Sequence, residues 1–158
     1  MSEPLSATAA STAPTTLPVD ATTTNASNTI TDAGWPGIRL IRPLVAINLM
    51  LVALQPISAG LFLSGYGRAV TIHAVVAFAL LLGVLVQAVI AVVLWRRRGV
   101  PGWVAGVSLG LFVVVFFQHG LGYNKVYWLH VPIGVGLFGW LIRLRIGLDT
   151  LWRTSSLP

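Results

Sequence analysis

The apolar residues of this chain come in four long blocks, roughly 43–64, 69–95, 103–121 and 126–142, with short polar turns between them. Each block holds close to the about 20 residues that cross a hydrocarbon core about 30 Å thick. No Lys, Arg, Asp or Glu interrupts any of them. The pattern predicts an all-α membrane protein with transmembrane helices over about 43–64, 69–95, 103–121 and 126–145. Short connections (65–68, 96–102 and 122–125) make sequential helices antiparallel neighbours, so an up-down-up-down four-helix bundle over 37–150 is expected, with a short C-terminal tail at 151–158. In such a bundle the second and fourth helices are diagonal and both descend from the outer side.

Composition agrees with this reading. The 158 residues are 56% hydrophobic and 9% charged, where a soluble domain carries about a quarter charged residues. The segment before the first block is rich in Ala, Thr and Ser, with Pro4, Pro14 and Pro18 scattered through it. It cannot bury enough apolar surface to offset its ordering entropy, so residues 1–36 are expected to be a disordered tail. It lacks the apolar core of a signal peptide.

Charge sets the orientation. With alternating helices, Arg39, Arg42, Arg96, Arg97, Arg98, Arg143, Arg145 and Arg153 fall on one side, and Arg68 and Lys125 on the other. The positive-inside rule then places both termini and the second turn in the cytoplasm, with the plasma (inner) membrane of a prokaryote as the expected location. The net charge of +6 therefore reads as topology and does not imply a nucleic-acid partner. The chain has no cysteine, which excludes disulfides, thiolate metal sites and cysteine nucleophiles.

A weak internal repeat points to chemistry. Gly65-Tyr66-x-Arg68-x4-His73 recurs as Gly122-Tyr123-x-Lys125-x4-His130. His73 and His130 each lie near the outer start of a descending helix, at similar depth. Two imidazoles on diagonal helices at one level can bind a single haem iron from both faces. Ala77 and Gly134, one turn below each histidine, leave room for a flat ring. Arg68 and Lys125 lie at the outer rim, where they would pair with haem propionates, and Tyr66 and Tyr123 would add hydrogen bonds. Taken singly, each of these residues equally suits a membrane interface.

The third histidine, His119, beside Gln118, is open to several readings: a propionate contact, a proton acceptor, a quinone ligand, a ligand in place of His130, or an ordinary interfacial histidine. Asn48, Gln55 and Ser58 share a face of the first helix and are expected to point into the bundle, with Gln87 of the second, as interhelical hydrogen-bond partners. The alternative is that Gln55 or Gln118 borders a cofactor. The apolar blocks contain no carboxylate, which argues against an acidic proton relay and carboxylate-bound metals. No phosphate-binding loop, nucleophile elbow or dinucleotide fingerprint occurs, so redox chemistry would need a bound cofactor.

The stretch Gln55-Pro-Ile-Ser-Ala-Gly60-Leu-Phe-Leu-Ser-Gly65, then His73, Gln118, Gly120 and Leu129-His130-Val-Pro132, resembles small four-helix b-type haem membrane proteins. It is also similar to one four-helix half of the haem A synthase family, over about Leu44–Arg145. The resemblance implies that His73 and His130 are axial ligands of one haem b near the outer face. Haem A synthases carry an acidic residue near that haem and two bundles. This chain has one bundle and no acid in its apolar blocks, so electron transfer fits better than oxidation of the haem itself. The expected partners are the lipid bilayer and either a quinone or a redox-partner subunit. The other reading is a cofactor-free membrane subunit or scaffold.

Overall fold

A computed structural model describes residues 35–155. Among them the chain forms four helices, α1 (Ile38–Leu63), α2 (Ala69–Arg96), α3 (Gly102–Tyr123) and α4 (Tyr127–Ser155). All four are long and apolar enough to cross a membrane. In hydrocarbon each backbone N–H and C=O must find its partner within the segment, so even α2, rich in β-branched residues, is a helix.

The observed ends lie within two residues of the expected ones except in two places. The first helix begins five residues earlier than its apolar block, because Arg39 and Arg42 continue the helix into the interface. The last runs on through Asp149 to Ser155, so residues 151–155 are helical, where a tail was expected. At about 1.5 Å per residue this helix exceeds the about 30 Å core, and its charged final turns project beyond it. The disorder expected for 1–36 falls, Trp35 and Pro36 apart, outside the described residues.

Each helix packs against two others in a ring, α1–α2–α3–α4–α1, and α2 and α4 occupy opposite corners. All three turns close with the same device. In each, a residue of positive φ (Gly65, Arg98 or Lys125) follows the helix, and the next N–H reaches back to a carbonyl of the last turn, as in Tyr66 N to Leu61 O at 3.1 Å and Val126 N to Leu121 O at 2.9 Å. Gly65 meets this conformation without strain, and Arg98 and Lys125 adopt it with side chains.

The end of the bundle that carries the arginines is tightly tied. Gly37 N donates to Gly99 O at 3.0 Å, joining the start of α1 to the second turn. Asp149 on α4 receives Arg42 of α1 at 2.7 Å and Arg145 at 3.0 Å, and both Arg39 and Arg42 lie over the ring of Trp152. Midway, a buried polar chain crosses three helices, with Asn48 Nδ2 donating to Gln87 Oε1 at 2.9 Å and Gln87 Nε2 to Ser108 Oγ at 3.2 Å. Large apolar residues such as Met50, Val75, Val86 and Val113 point outward; in lipid, outward apolar surface costs nothing, and packing and polar contacts hold the helices together.

Candidate functional site

The opposite half of the bundle is open. A cavity of about 470 Å³ is lined from all four helices, among others by Gln55, Ala59 and Gly60 of α1, His73 and Ala77 of α2, Gln118 and His119 of α3, and His130 and Gly134 of α4. That volume lies within the about 300–1,000 Å³ of sites for small molecules and cofactors. Its walls are mostly apolar, and a β-carbon at Gly60 would meet nothing within 4 Å.

His73 and His130 face each other across the diagonal with ring centroids 6.3 Å apart and planes at 61°. Both rings are held through Nδ1 by the backbone of the preceding helix. His73 Nδ1 lies 3.2 Å from Gln55 O and 3.1 Å from Ser58 Oγ. His130 Nδ1 lies 3.1 Å from Gln118 O. A carbonyl only accepts, so each Nδ1 carries the proton and each Nε2 presents a lone pair. No hydrogen bond engages either Nε2 among the described residues. Carbonyl-fixed tautomers of this kind are how proteins orient metal-binding imidazoles.

The Ser58 hydroxyl completes this seat. Its Oγ also bonds Leu54 O and Gln55 O, each at 3.0 Å, so its proton goes to a carbonyl and its lone pair remains for Nδ1–H of His73. On the other side Gln118 Nε2 donates to His130 O, and Gly122 lies flat against the His130 ring, where a β-carbon would stand 2.9 Å from Cε1.

Of the residues singled out in the sequence, His73, His130, Ala77, Gly134, Gln55, Gln118 and His119 are brought together around this cavity. Arg68, Lys125, Tyr66 and Tyr123 do not line it. Arg68 precedes α2 and Lys125 sits in the third turn; all four are exposed, at the end of the bundle that holds the first and third turns. The sequence reading missed Ser58 as a partner of His73 and Gly122 as the floor under His130. The first could have been sought among the polar residues of the α1 inner face, but no local signal marks the second.

Three polar atoms beside the cavity are buried without a partner: Nε2 and Oε1 of Gln55 and Oε1 of Gln118. An unsatisfied amide atom away from water costs about 1–3 kcal/mol, so these atoms pair with water or with a bound group that enters the cavity. Comparison with protein-family models, curated proteins and solved structures returns no match.

Proposed function

We propose that this chain is a b-type haem-binding integral membrane protein, with His73 and His130 as the two axial ligands and electron transfer as its role. The observation that carries the reading is the spacing of the two imidazoles. A metal ion gripped from opposite sides at about 2.0 Å by two imidazole nitrogens separates the ring centroids by about 6 Å, and the separation here is 6.3 Å.

The rest of the cavity fits a flat, mostly apolar macrocycle with polar edges. Ala77 and Gly134 line the cavity one turn below the two histidines with little side chain, and Gly134 lies against the Gln118 amide. Gln55 offers a free amide N–H and carbonyl on the α1 wall, and Gln118 a free carbonyl oxygen beside His119 on the α3 wall. Arg68 and Lys125 remain the cations nearest the rim for propionates. A bound haem would supply one-electron chemistry that no side chain of this protein has; the chain would hold it with the two imidazoles of His73 and His130, each fixed in its tautomer by a backbone carbonyl, in a mostly apolar cavity. The resemblance to one half of the haem A synthase family points the same way.

We place the protein in the plasma membrane of a prokaryote, with both ends of the bundle's chain on the cytoplasmic side. The arginines gather at the end where Arg42 meets Asp149, and the positive-inside rule assigns that end to the cytoplasm. The haem then lies toward the outer face, where a membrane quinone or a redox-partner subunit exchanges electrons with it. The experiment is optical. Purified protein expressed with haem precursor is expected to be red, with a Soret band that sharpens and an α band that appears on dithionite reduction. A colourless preparation refutes the reading.

A further inference from the structure

Where α1 and α4 meet at the arginine end, the bundle carries more positive charge than it neutralises. Asp149 is the only side-chain carboxylate among the described residues, and it is shared. Its Oδ1 accepts from Nε of Arg42 at 2.8 Å and from Nε of Arg145 at 3.1 Å, and its Oδ2 from Arg145 at 3.0 Å. Arg39, one turn before Arg42, has no acid partner. Its guanidinium lies over the Trp152 ring, 5.3 Å from the centroid, as does that of Arg42 at 5.2 Å. Three guanidinium groups against one carboxylate leave two positive charges uncompensated at this seam.

The excess charge is held in place. The side chains of Arg42 and Arg145 are only 27% and 30% exposed, and Arg145 Nη1 also donates to Arg42 O at 3.4 Å. Nη1 of Arg42, Nη2 of Arg145 and the whole guanidinium of Arg39 have no hydrogen-bond partner among the described residues. Like charges drawn partly out of water repel one another, and guanidinium donors without acceptors suit the oxygens of a phosphate. Depth decides which phosphate. Arg42 stands immediately before the apolar block that opens at Pro43, and Arg145 three residues after the block that closes at Ile142, so the cluster lies at headgroup level, with Trp152 as an interfacial aromatic. Toward the bilayer centre the outward side chains of both helices, Met50 and Ile146 among them, are apolar and exposed.

We propose that this α1–α4 seam is a binding site for the phosphodiester headgroup of an anionic phospholipid, with Arg39 as the free clamp and Arg42 and Arg145 as donors fixed in position by Asp149. The acyl chains run along the apolar outer surface toward the bilayer centre. The site is independent of the haem reading. The Arg96–Arg98 run of the second turn supplies the contrast: its three arginines are exposed, and none has an ion pair or a ring contact among the described residues. It attracts an anionic surface as a diffuse charge, whereas the seam holds one headgroup.

The test is native mass spectrometry of the full-length protein in a neutral detergent, titrated with phosphatidylglycerol or with phosphatidylcholine of the same chains. The wild type is expected to bind one phosphatidylglycerol more tightly than any phosphatidylcholine. Arg39→Gln removes an exposed side chain that makes no hydrogen bond, so the fold is expected to survive, as circular dichroism checks. Its affinity for phosphatidylglycerol is expected to fall about fivefold, the scale of one arginine at a membrane surface. Arg97→Gln, the same charge change in the second turn, is expected to leave that affinity unchanged. Equal binding of the two lipids by the wild type overturns the proposal. So does an equal loss in Arg39→Gln and Arg97→Gln, which would make the attraction a matter of net charge. Inorganic phosphate that displaces the lipid at matched concentration overturns the lipid as the source of the phosphate.

Discussion

The ring of His130 packs beside Gly122, so closely that a β-carbon there would stand 2.9 Å from Cε1. Glycine is therefore required at this position by contact, even though its backbone is ordinary helix. Gly122→Ala is expected to push the imidazole out of line and to lower the fraction of six-coordinate low-spin haem, with the protein still folded. Optical and circular dichroism spectra of the same sample check this. Unchanged low-spin haem in Gly122→Ala would show that the ring has room to retreat.

Ser58→Ala removes one of the two groups that hold His73 Nδ1–H and leaves the carbonyl of Gln55 in place. Loss of a hydrogen bond to a ligating imidazole makes it a weaker donor to the metal. The expected result is retained haem with a midpoint potential higher than wild type, measured by spectroelectrochemical titration; a change of about 59 mV corresponds to a tenfold change in the equilibrium constant for a one-electron couple. A fall in potential contradicts the assignment.

The polar chain in the middle of the bundle gives a stability prediction. Asn48→Ala is expected to cost about 1 kcal/mol, the scale of interhelical hydrogen bonds in membranes. Gly83→Ala costs at least as much, because a β-carbon there clashes with Asn48 Oδ1. In the Asn48→Ala background the clash has no partner, so the double variant is expected to be far less destabilised than the sum of the two. Unfolding in mixed detergent micelles measures the cycle, and simple additivity would contradict the contact.

Asp149→Asn removes the negative charge that ties Arg42 to Arg145 at the far end. These side chains are partly exposed, so the loss is expected to stay under about 1 kcal/mol, and the haem spectrum should not change. A spectral change would mean that the two ends of the bundle are coupled.

The four spans and their diagonal arrangement were legible because the bilayer leaves few options for apolar runs of this length. The depth and facing of His73 and His130 followed from the same logic. What could not be read was the detail at turns and contacts. The repeat pairs Gly65 with Gly122, yet only Gly65 occupies the left-handed turn position; in the third turn that role falls to Lys125, three residues after Gly122. The expected propionate cations sit outside the cavity for a related reason, since where a long side chain at a turn points depends on local backbone geometry. The polar residues of α1 divided between the two expected roles. Asn48 bonds across helices, and Gln55 faces the cavity unpaired; one heptad of separation put them on opposite sides of the line between packed and open bundle.

The low-spin ferric signal in electron paramagnetic resonance, recorded for His73→Ala, His130→Ala and His119→Ala alongside wild type, tests the central claim most directly. Both of the first two variants are expected to lose the signal of an iron held by two imidazoles, and His119→Ala is expected to keep it. If His119→Ala abolishes that signal, or if either His73→Ala or His130→Ala retains it, the pairing of His73 with His130 on one iron is wrong.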